Sequence, residues 1–447
     1  MRTFANNSFK FLYDKFIFMK DKTTKIIDKM IISAIIFICL SIYLPPQFKT
    51  LSILLLALIL IIIFFSKVYI LKPNPNKLIL LPILFYSLHI IGLFYSENTK
   101  EALFDLEVKL PIIILPILFL FIPPKFLTKE NFWKYTIAII IGLILNILFC
   151  FTEGIIRSVS NSSPLISEIT YTNLTGNLHP SYLSLFASVA LILNYEIPLK
   201  DNFQIKETTS AIIKIILSSI ITFFILMLNS KTGIIIMAIS YIWIIHNMFY
   251  VQKKRIKSII IFLLVLISFT TIYSLDTLSK RHNTAIENIT TSQSSKPETS
   301  SITQRKFIYK NSIKLILEEP LFGQGIGDVR KSLNKLYEQS NVHFYSYLNA
   351  HNQFIQTTIA LGLLGLMILL LIFIIPSIII IKHKQYFLLT IYIIIGISFL
   401  FESMLDRNMG SYFFSLIYIL SIIYIDNLKN KRYELKNKDE LVFKTLS

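Results

Sequence analysis

An all-α integral membrane protein is the fold class this sequence predicts, and three observations predict it. Of the 447 residues, 54% are hydrophobic and only 16% are charged, with a mean hydropathy of +0.64; a soluble domain of ordinary composition carries about 25% charged residues. Apolar runs of the roughly 17–25 residues that cross a bilayer as a helix recur along the whole chain. The formal charge of +18 is sorted by side and not spread evenly.

Twelve such runs are expected to span, near 29–45, 48–66, 77–95, 106–122, 132–153, 179–197, 211–229, 233–250, 258–275, 353–376, 386–402 and 410–426. Pro82, Pro111, Pro116 and Pro180 sit within or at the edges of these runs, which bundled membrane helices tolerate. With the N-terminus inside, residues 1–29, 66–77, 123–134, 198–214, 251–257, 382–384 and 427–447 hold most of the 44 Lys and Arg. The short loops of the other side carry only Lys49, Lys100, Arg157, Lys231 and Arg407. This is the positive-inside pattern, so both termini are expected in the cytoplasm. The basic charge is mostly topology, with some attraction to anionic headgroups, and nucleic-acid binding is excluded as its explanation. Cys39 and Cys150 both lie in apolar runs and read as neither a disulfide nor metal ligands.

In chain order, residues 1–28 read as a basic cytoplasmic lead-in lying on the membrane surface, and 29–177 as the first five spanning helices with an outer loop. Within them Asp105, Glu107 and Lys109 bring an ion pair into the fourth span, a functional candidate that also fits snorkelling. Residues 178–426 form the core, and the basic tail 427–447 is expected to be disordered. His179-Pro180 opens the sixth helix at its outer mouth, Pro suiting a helix's first turn; a capping histidine is the simpler reading there. Lys231 is the sole cation of the tight outer turn Leu228–Gly233, placed to snorkel or to meet an anionic ligand.

The loop 276–351 is the one extramembrane segment long enough to fold. It opens with Lys280-Arg281-His282, continues through a flexible Ser/Thr-rich stretch from Thr290 to Ser301, and then reads as a helix from Thr303 to Glu319. Arg305, Lys306, Lys310 and Lys314 among Phe307, Ile308, Ile313 and Leu317 suit a helix at the membrane interface. Gly323, Gly325 and Gly327 follow, three of the chain's 12 glycines within five residues. Their spacing is not the dinucleotide fingerprint. It reads as a tight turn whose amides come close enough to reach a substrate. Tyr337, Phe344, Tyr345 and Tyr347 suit an interfacial belt better than sugar stacking. The loop ends in Asn349-Ala350-His351-Asn352-Gln353-Phe354-Ile355-Gln356, which sets an imidazole and several amides at the mouth of the tenth helix. Gly362 and Gly365 are expected to let a neighbouring helix approach closely.

Such a mouth touches water on one side and hydrocarbon on the other, as a reaction between a lipid-borne and a water-borne group requires. A neutral imidazole can take a proton from an attacking hydroxyl. Lys231, Arg281, Arg305 and Arg407 can stabilise the charge that builds on a departing diphosphate. No metal spacing is present in the sequence, so cationic side chains are expected in place of a metal, and no cofactor is expected.

The stretch Arg305…Glu319-Pro320-Leu321-Phe322-Gly323-Gln324-Gly325-Ile326-Gly327, the Asn349–Gln356 segment and Gly362-Leu363-Leu364-Gly365-Leu366 together resemble the core of the bacterial O-antigen ligase family. That family also includes O-antigen and exopolysaccharide polymerases. His179-Pro180 and Ser230-Lys231-Thr232-Gly233 resemble its upstream motifs, so the likeness runs over about residues 178–410. The resemblance implies a metal-independent, inverting glycosyltransferase of GT-C-type architecture in the bacterial cytoplasmic membrane. Its implied partners are membrane lipids, an undecaprenyl-diphosphate-linked glycan and an acceptor glycolipid (lipid A–core) or glycan, met at the outer face. His351 then matches the proposed base, Arg281 and Arg305 the diphosphate-binding arginines, and Arg407, His179 and Asn352 complete the expected substrate site. Lys231 departs from the arginine common in the family and lacks its bidentate fork. Transfer to an acceptor (ligase) and joining of lipid-linked repeats (polymerase) share these motifs. A polysaccharide transporter or flippase is the reading from another class, but such proteins show internal repeats and midplane polar sites, which this sequence lacks.

Overall fold

The structure is a computed structural model that describes residues 23–69, 71, 76–176, 178–257, 259–260, 263, 301–339 and 348–446, with backbone alone for 301–303 and 429–446. Among these residues there is no strand. The described helices of ten residues or more are α1 (Thr23–Tyr43), α2 (Pro46–Ser66), α3 (Leu80–Tyr95), α4 (Thr99–Lys109), α5 (Pro111–Leu120), α6 (Lys129–Ser160), α7 (Pro180–Glu196), α8 (Glu207–Met227) and α9 (Lys231–His246). They continue as α10 (Ser301–Glu318), α11 (Val329–Gln339), α12 (Gln353–Lys382), α13 (Tyr386–Phe401) and α14 (Asn408–Leu446).

Among the described residues, eight helices are long and apolar enough to cross a membrane: α1, α2, α3 (extended back to Lys77), α6, α8, α9 (extended to Val251), α12 and the first part of α14. Three further expected spans are present but short: α5 with 10 residues, α7 with 17 and α13 with 16. The expected span 258–275 lies almost wholly outside the described residues, as do Arg281 and the Ser/Thr-rich stretch before Ser301. The span expected at 106–122 is broken. α4 ends at Lys109 and α5 starts at Pro111, because the proline has no N–H to continue the ladder and favours a first-turn position. The basic lead-in falls mostly outside the described residues, and α1 already begins at Thr23. The tail expected to be disordered instead continues α14 to Leu446. Lys49, expected in an outer loop, is buried in the first turn of α2.

Two helices carry the core. α7 is buried at every position from Pro180 to Asn194, enclosed by α6, α8, α9 and α13. The spanning part of α14 is 94% buried, against half or less for the other long spans. A helix apolar on all sides must be surrounded, and these two are surrounded by protein while the others also face lipid. Gly233 sits so close to α7 that a Cβ there would lie 2.4 Å from Ser184 Oγ. Small residues therefore fix the α7–α9 approach, and with it the spacing of the helix mouths at His179 and Lys231.

α12 is not one continuous helix. Gly362 has φ +62° and ψ −163°, which breaks it into 353–361 and 363–382. The segment after α10 packs into that break: the amides of Gln324 and Gly325 donate to the carbonyls of Ile359 and Ala360 at 2.7 and 3.1 Å, and Leu363 N donates to Pro320 O at 2.8 Å. Gly362 and Gly365 were expected to admit a neighbouring helix. What approaches Gly362 is a loop backbone, Leu321-Phe322, and Gly365 faces Leu361 and Thr357 of its own helix. The docking satisfies backbone groups that the break exposes inside an apolar environment, where an unmet group is costly.

Both Gly323 (φ +73°) and Gly362 occupy left-handed backbone, and a Cβ at either would come within 2.6 Å or less of the other segment's main chain. Gly323→Ala and Gly362→Ala are each expected to destabilise the protein by about 2 kcal/mol or more. Gly396→Ala, in the interior of α13 and with its Cβ meeting only Phe373 at 3.9 Å, should not destabilise the protein, alanine being favoured over glycine in a helix by about 0.5–1 kcal/mol. Thermal unfolding of the detergent-purified variants checks this.

Candidate active site

The Asn349–Gln356 segment is a scaffold for a single side chain. Asn352 caps α12, its Oδ1 accepting from Ile355 N at 3.1 Å. Gln356 Oε1 accepts from Ala350 N at 3.0 Å, and Asn349 Oδ1 accepts from His351 N at 3.1 Å. Gln353 Oε1 accepts from Leu405 N at 2.7 Å, tying the start of α12 to the loop after α13. These contacts hold His351 at φ +47°, a left-handed conformation uncommon for a side-chain-bearing residue and found in constrained functional segments. Asn352, expected to bind substrate, is buried, and its side-chain oxygen is engaged in the cap.

What His351 meets was not among the expected site residues. Its Nδ1 lies 3.4 Å from Glu402 Oε2, and Glu402 stands in the loop directly after α13 with 8% of its surface exposed. Arg305 of α10 approaches the other oxygen, with Nη2 at 3.7 Å from Oε1, and donates to Phe401 O at 3.2 Å. The guanidinium also lies 5.8 Å from the centre of the Phe401 ring. His179 interacts electrostatically with Glu402, His351, Arg407 and Arg305, so all five groups share one end of the helix bundle. Burial works against ionisation of Glu402, but the His351 hydrogen bond and the charges of His179, His351 and Arg305 outweigh it and hold the carboxyl below its ordinary pKa. The ionised Glu402 accepts a hydrogen bond from His351 Nδ1–H, and in that tautomer Nε2 is the acceptor of the neutral ring.

The remaining expected residues distribute around this centre. His179 Nδ1 accepts from Ser181 N at 3.3 Å, which is the capping role of the simpler reading, yet its ring stays within the charge cluster. Lys231 opens α9 next door: its N-cap Ser230 hydrogen-bonds Ser181 at 3.1 Å. Arg407 is exposed in the loop that carries Glu402. Gly323, Gly325 and Gly327 do form a tight turn, but its amides are engaged within the protein. Gly323 N donates to Glu319 O, Gly325 N to Ala360 O and Gly327 N to Ser96 Oγ at 3.1 Å. Tyr337 is buried against Phe307 and is core. Phe344, Tyr345 and Tyr347 lie outside the described residues. Among the described residues no group of three or more His, Cys, Asp and Glu is arranged to hold a metal.

A second network supports the first from beneath. Lys109 at the end of α4 is buried and bonds Asp105, and it reaches Asp406 at 3.4 Å. Asp406 in turn faces Asn349 Nδ2 at 3.4 Å, the residue that fixes the His351 amide. The ion pair noticed in the sequence is therefore a positioning device joined to the site. Lys109→Met leaves two carboxylates without their cation and is expected to cost roughly 3 kcal/mol. Adding Asp406→Asn should recover part of the loss, and a double-mutant cycle of unfolding temperatures measures both.

The neighbouring sequence carries a signature of its own. A comparison with curated proteins gives no match. Lys231, Arg305, the glycine turn, His351 and Gly362 fall in one matched stretch, whereas His179, Glu402 and Arg407 lie beyond its ends. Residues 216–370, from within α8 to just past the break in α12, match the O-antigen ligase family, which bears out the resemblance read from the sequence and ties this stretch of the chain to that family.

Proposed function

We propose that the chain transfers an undecaprenyl-diphosphate-linked glycan to an acceptor hydroxyl on lipid A–core, with His351 as base. The observation that carries this reading is the His351–Glu402–Arg305 constellation at the mouths of α7, α12 and α13. The acceptor O–H gives its proton to His351 Nε2 while its oxygen bonds the anomeric carbon. The bond from that carbon to the diphosphate oxygen breaks, and the lipid diphosphate leaves with the electron pair. A single displacement of this kind inverts the anomeric centre and needs no covalent enzyme intermediate. Glu402 fixes the imidazole and balances the charge it gains. Arg305, with Arg281, Arg407 and Lys231 as further candidates, stabilises the departing diphosphate; His179 and Asn352 line the same mouth.

In this reading the chain has twelve spans in a GT-C-type arrangement, with both termini cytoplasmic and the site end facing outward from the inner membrane. The units are 1–28, 29–177, 178–426 and 427–447. Of the segments placed outside by charge, 228–233, 276–351 and 401–410 contribute Lys231, Arg305, His351 and Arg407, and His179 directly follows the outer loop 154–178, which supports a shared outer face.

The surface polysaccharide of a deletion strain complemented with wild type, His351→Ala or Arg305→Ala, at equal membrane levels of protein, tests the proposal. Both variants are expected to lower ligated glycan by at least about a hundredfold, within the range that proton transfer and charge stabilisation each contribute, while long chains accumulate on lipid. Single repeats on the core would instead identify a polymerase. A normal profile from His351→Ala would overturn the catalytic reading.

A further inference from the structure

α10 enters the protein at the level of Glu402, where Arg305 donates to Phe401 O, and leaves it beside Gly362, where Pro320 O accepts from Leu363 N. The break at Gly362 lies about 14 Å further along α12 than its first residue Gln353, at 1.5 Å per residue. α10 therefore slants from the mouth of the bundle toward the bilayer interior. One stripe of the surface it leaves open runs from basic to apolar: Lys306 and Lys310 are exposed near its start, and Ile313, Leu317, Leu321 and Phe322 at and beyond its end, Leu317 at 73%. Lys314, Glu318 and Glu319 are exposed too, off that stripe by the helical period of 100° per residue. At 100° per residue, positions 306, 310, 313 and 317 share one side of the helix.

This apolar end is continuous with surface that already faces lipid. Tyr95 OH at the end of α3 donates to Phe322 O at 2.6 Å, and the adjoining Phe94 is 82% exposed. Ile91 on α3 and Leu363 on α12, both in spanning helices, are exposed beside it. Covering four large apolar side chains with water would leave about 25 cal/mol per Å² unrealised, and lysines above them suit a phosphate layer.

We infer that α10 is a membrane wedge: Ile313, Leu317, Leu321 and Phe322 insert into the leaflet on the site's side, and Lys306 and Lys310 lie among that leaflet's phosphates. The partner is the phospholipid of the membrane in which the chain sits. The wedge sets the depth of Arg305, and so holds the charge cluster at headgroup level. It stands whether or not the chain is a glycosyltransferase.

The test is nitroxide labelling at single cysteines, Lys310→Cys, Ile313→Cys, Leu317→Cys and Phe322→Cys, in a Cys39→Ala/Cys150→Ala background. The full chain is reconstituted in phosphatidylethanolamine–phosphatidylglycerol vesicles. The ratio of oxygen to nickel-chelate collision rates is expected to be severalfold higher at 313, 317 and 322 than at 310. Equal access of the nickel chelate to all four positions would overturn the wedge. Low access of both probes at 313 and 317 would also overturn it, by showing that protein covers the stripe. Should the cysteine-free protein not fold, Leu317→Trp in the native chain serves: its added emission is expected to be quenched by lipids brominated near the headgroup end of the chains, and unquenched emission contradicts the proposal.

Discussion

A carboxylate with almost no access to water has to be met by positive charge or hydrogen bonds, and Glu402 imposes that demand on the mouth of this bundle. It sits where an apolar helix ends, and its ionic partners Arg305 and His351 stand on other elements. The partners come from sequence positions far away: Arg305 from α10, His351 from the start of α12 and the ring of His179 from the start of α7. Desolvating a charge costs several kcal/mol unless its geometry is met. Glu402 therefore fixes how three otherwise independent segments converge, and the same contact gives His351 its orientation.

Convergence also needs backbone that ordinary helices do not offer. The left-handed turn at His351 turns the imidazole out of the line of α12, and Asn349, Gln353 and Gln356 hold it there. A few turns deeper, the break at Gly362 gives the segment after α10 a place to hydrogen-bond. α10 is thus anchored at its two ends, by Arg305 on Glu402 and by Pro320 and Gln324 on α12. An arginine on a helix fixed at both ends is better suited to a preorganised electrostatic role than one on a free loop.

Much of this was legible in the sequence, and the limits have physical causes. Spanning helices announce themselves by composition, and the helix of 303–319 by its spacing of apolar and basic residues. His351 stood out because an imidazole at a helix mouth is unusual company for amides. Glu402 did not, because it is 51 residues away from His351 and its charge looked like an ordinary outer-face residue. Its one signal was a carboxylate bordering an apolar helix in a loop already rich in charge. Gly362 was read as a helix-packing glycine, since small residues three apart carry no information on φ, and only the structure separates a helix contact from a docked loop. The glycine turn was correctly a turn, but where its amides point depends on Ser96, Ile359 and Ala360. The break before Pro111 could have been taken from the proline itself, whereas the pairing of Lys109 with Asp406 spans almost the full chain.

The central claim is that Glu402 makes His351 a base with Nε2 free, which makes the charge on Glu402 the quantity to vary. Glu402→Gln keeps the size and can still hydrogen-bond, while Glu402→Asp keeps the charge and shortens the reach. The most direct measurement is the amount of ligated surface glycan in cells carrying each variant, at membrane levels matched to wild type. The account predicts that Glu402→Gln falls to the level of His351→Ala, with Glu402→Asp in between. A Glu402→Gln strain with the wild-type profile would contradict it.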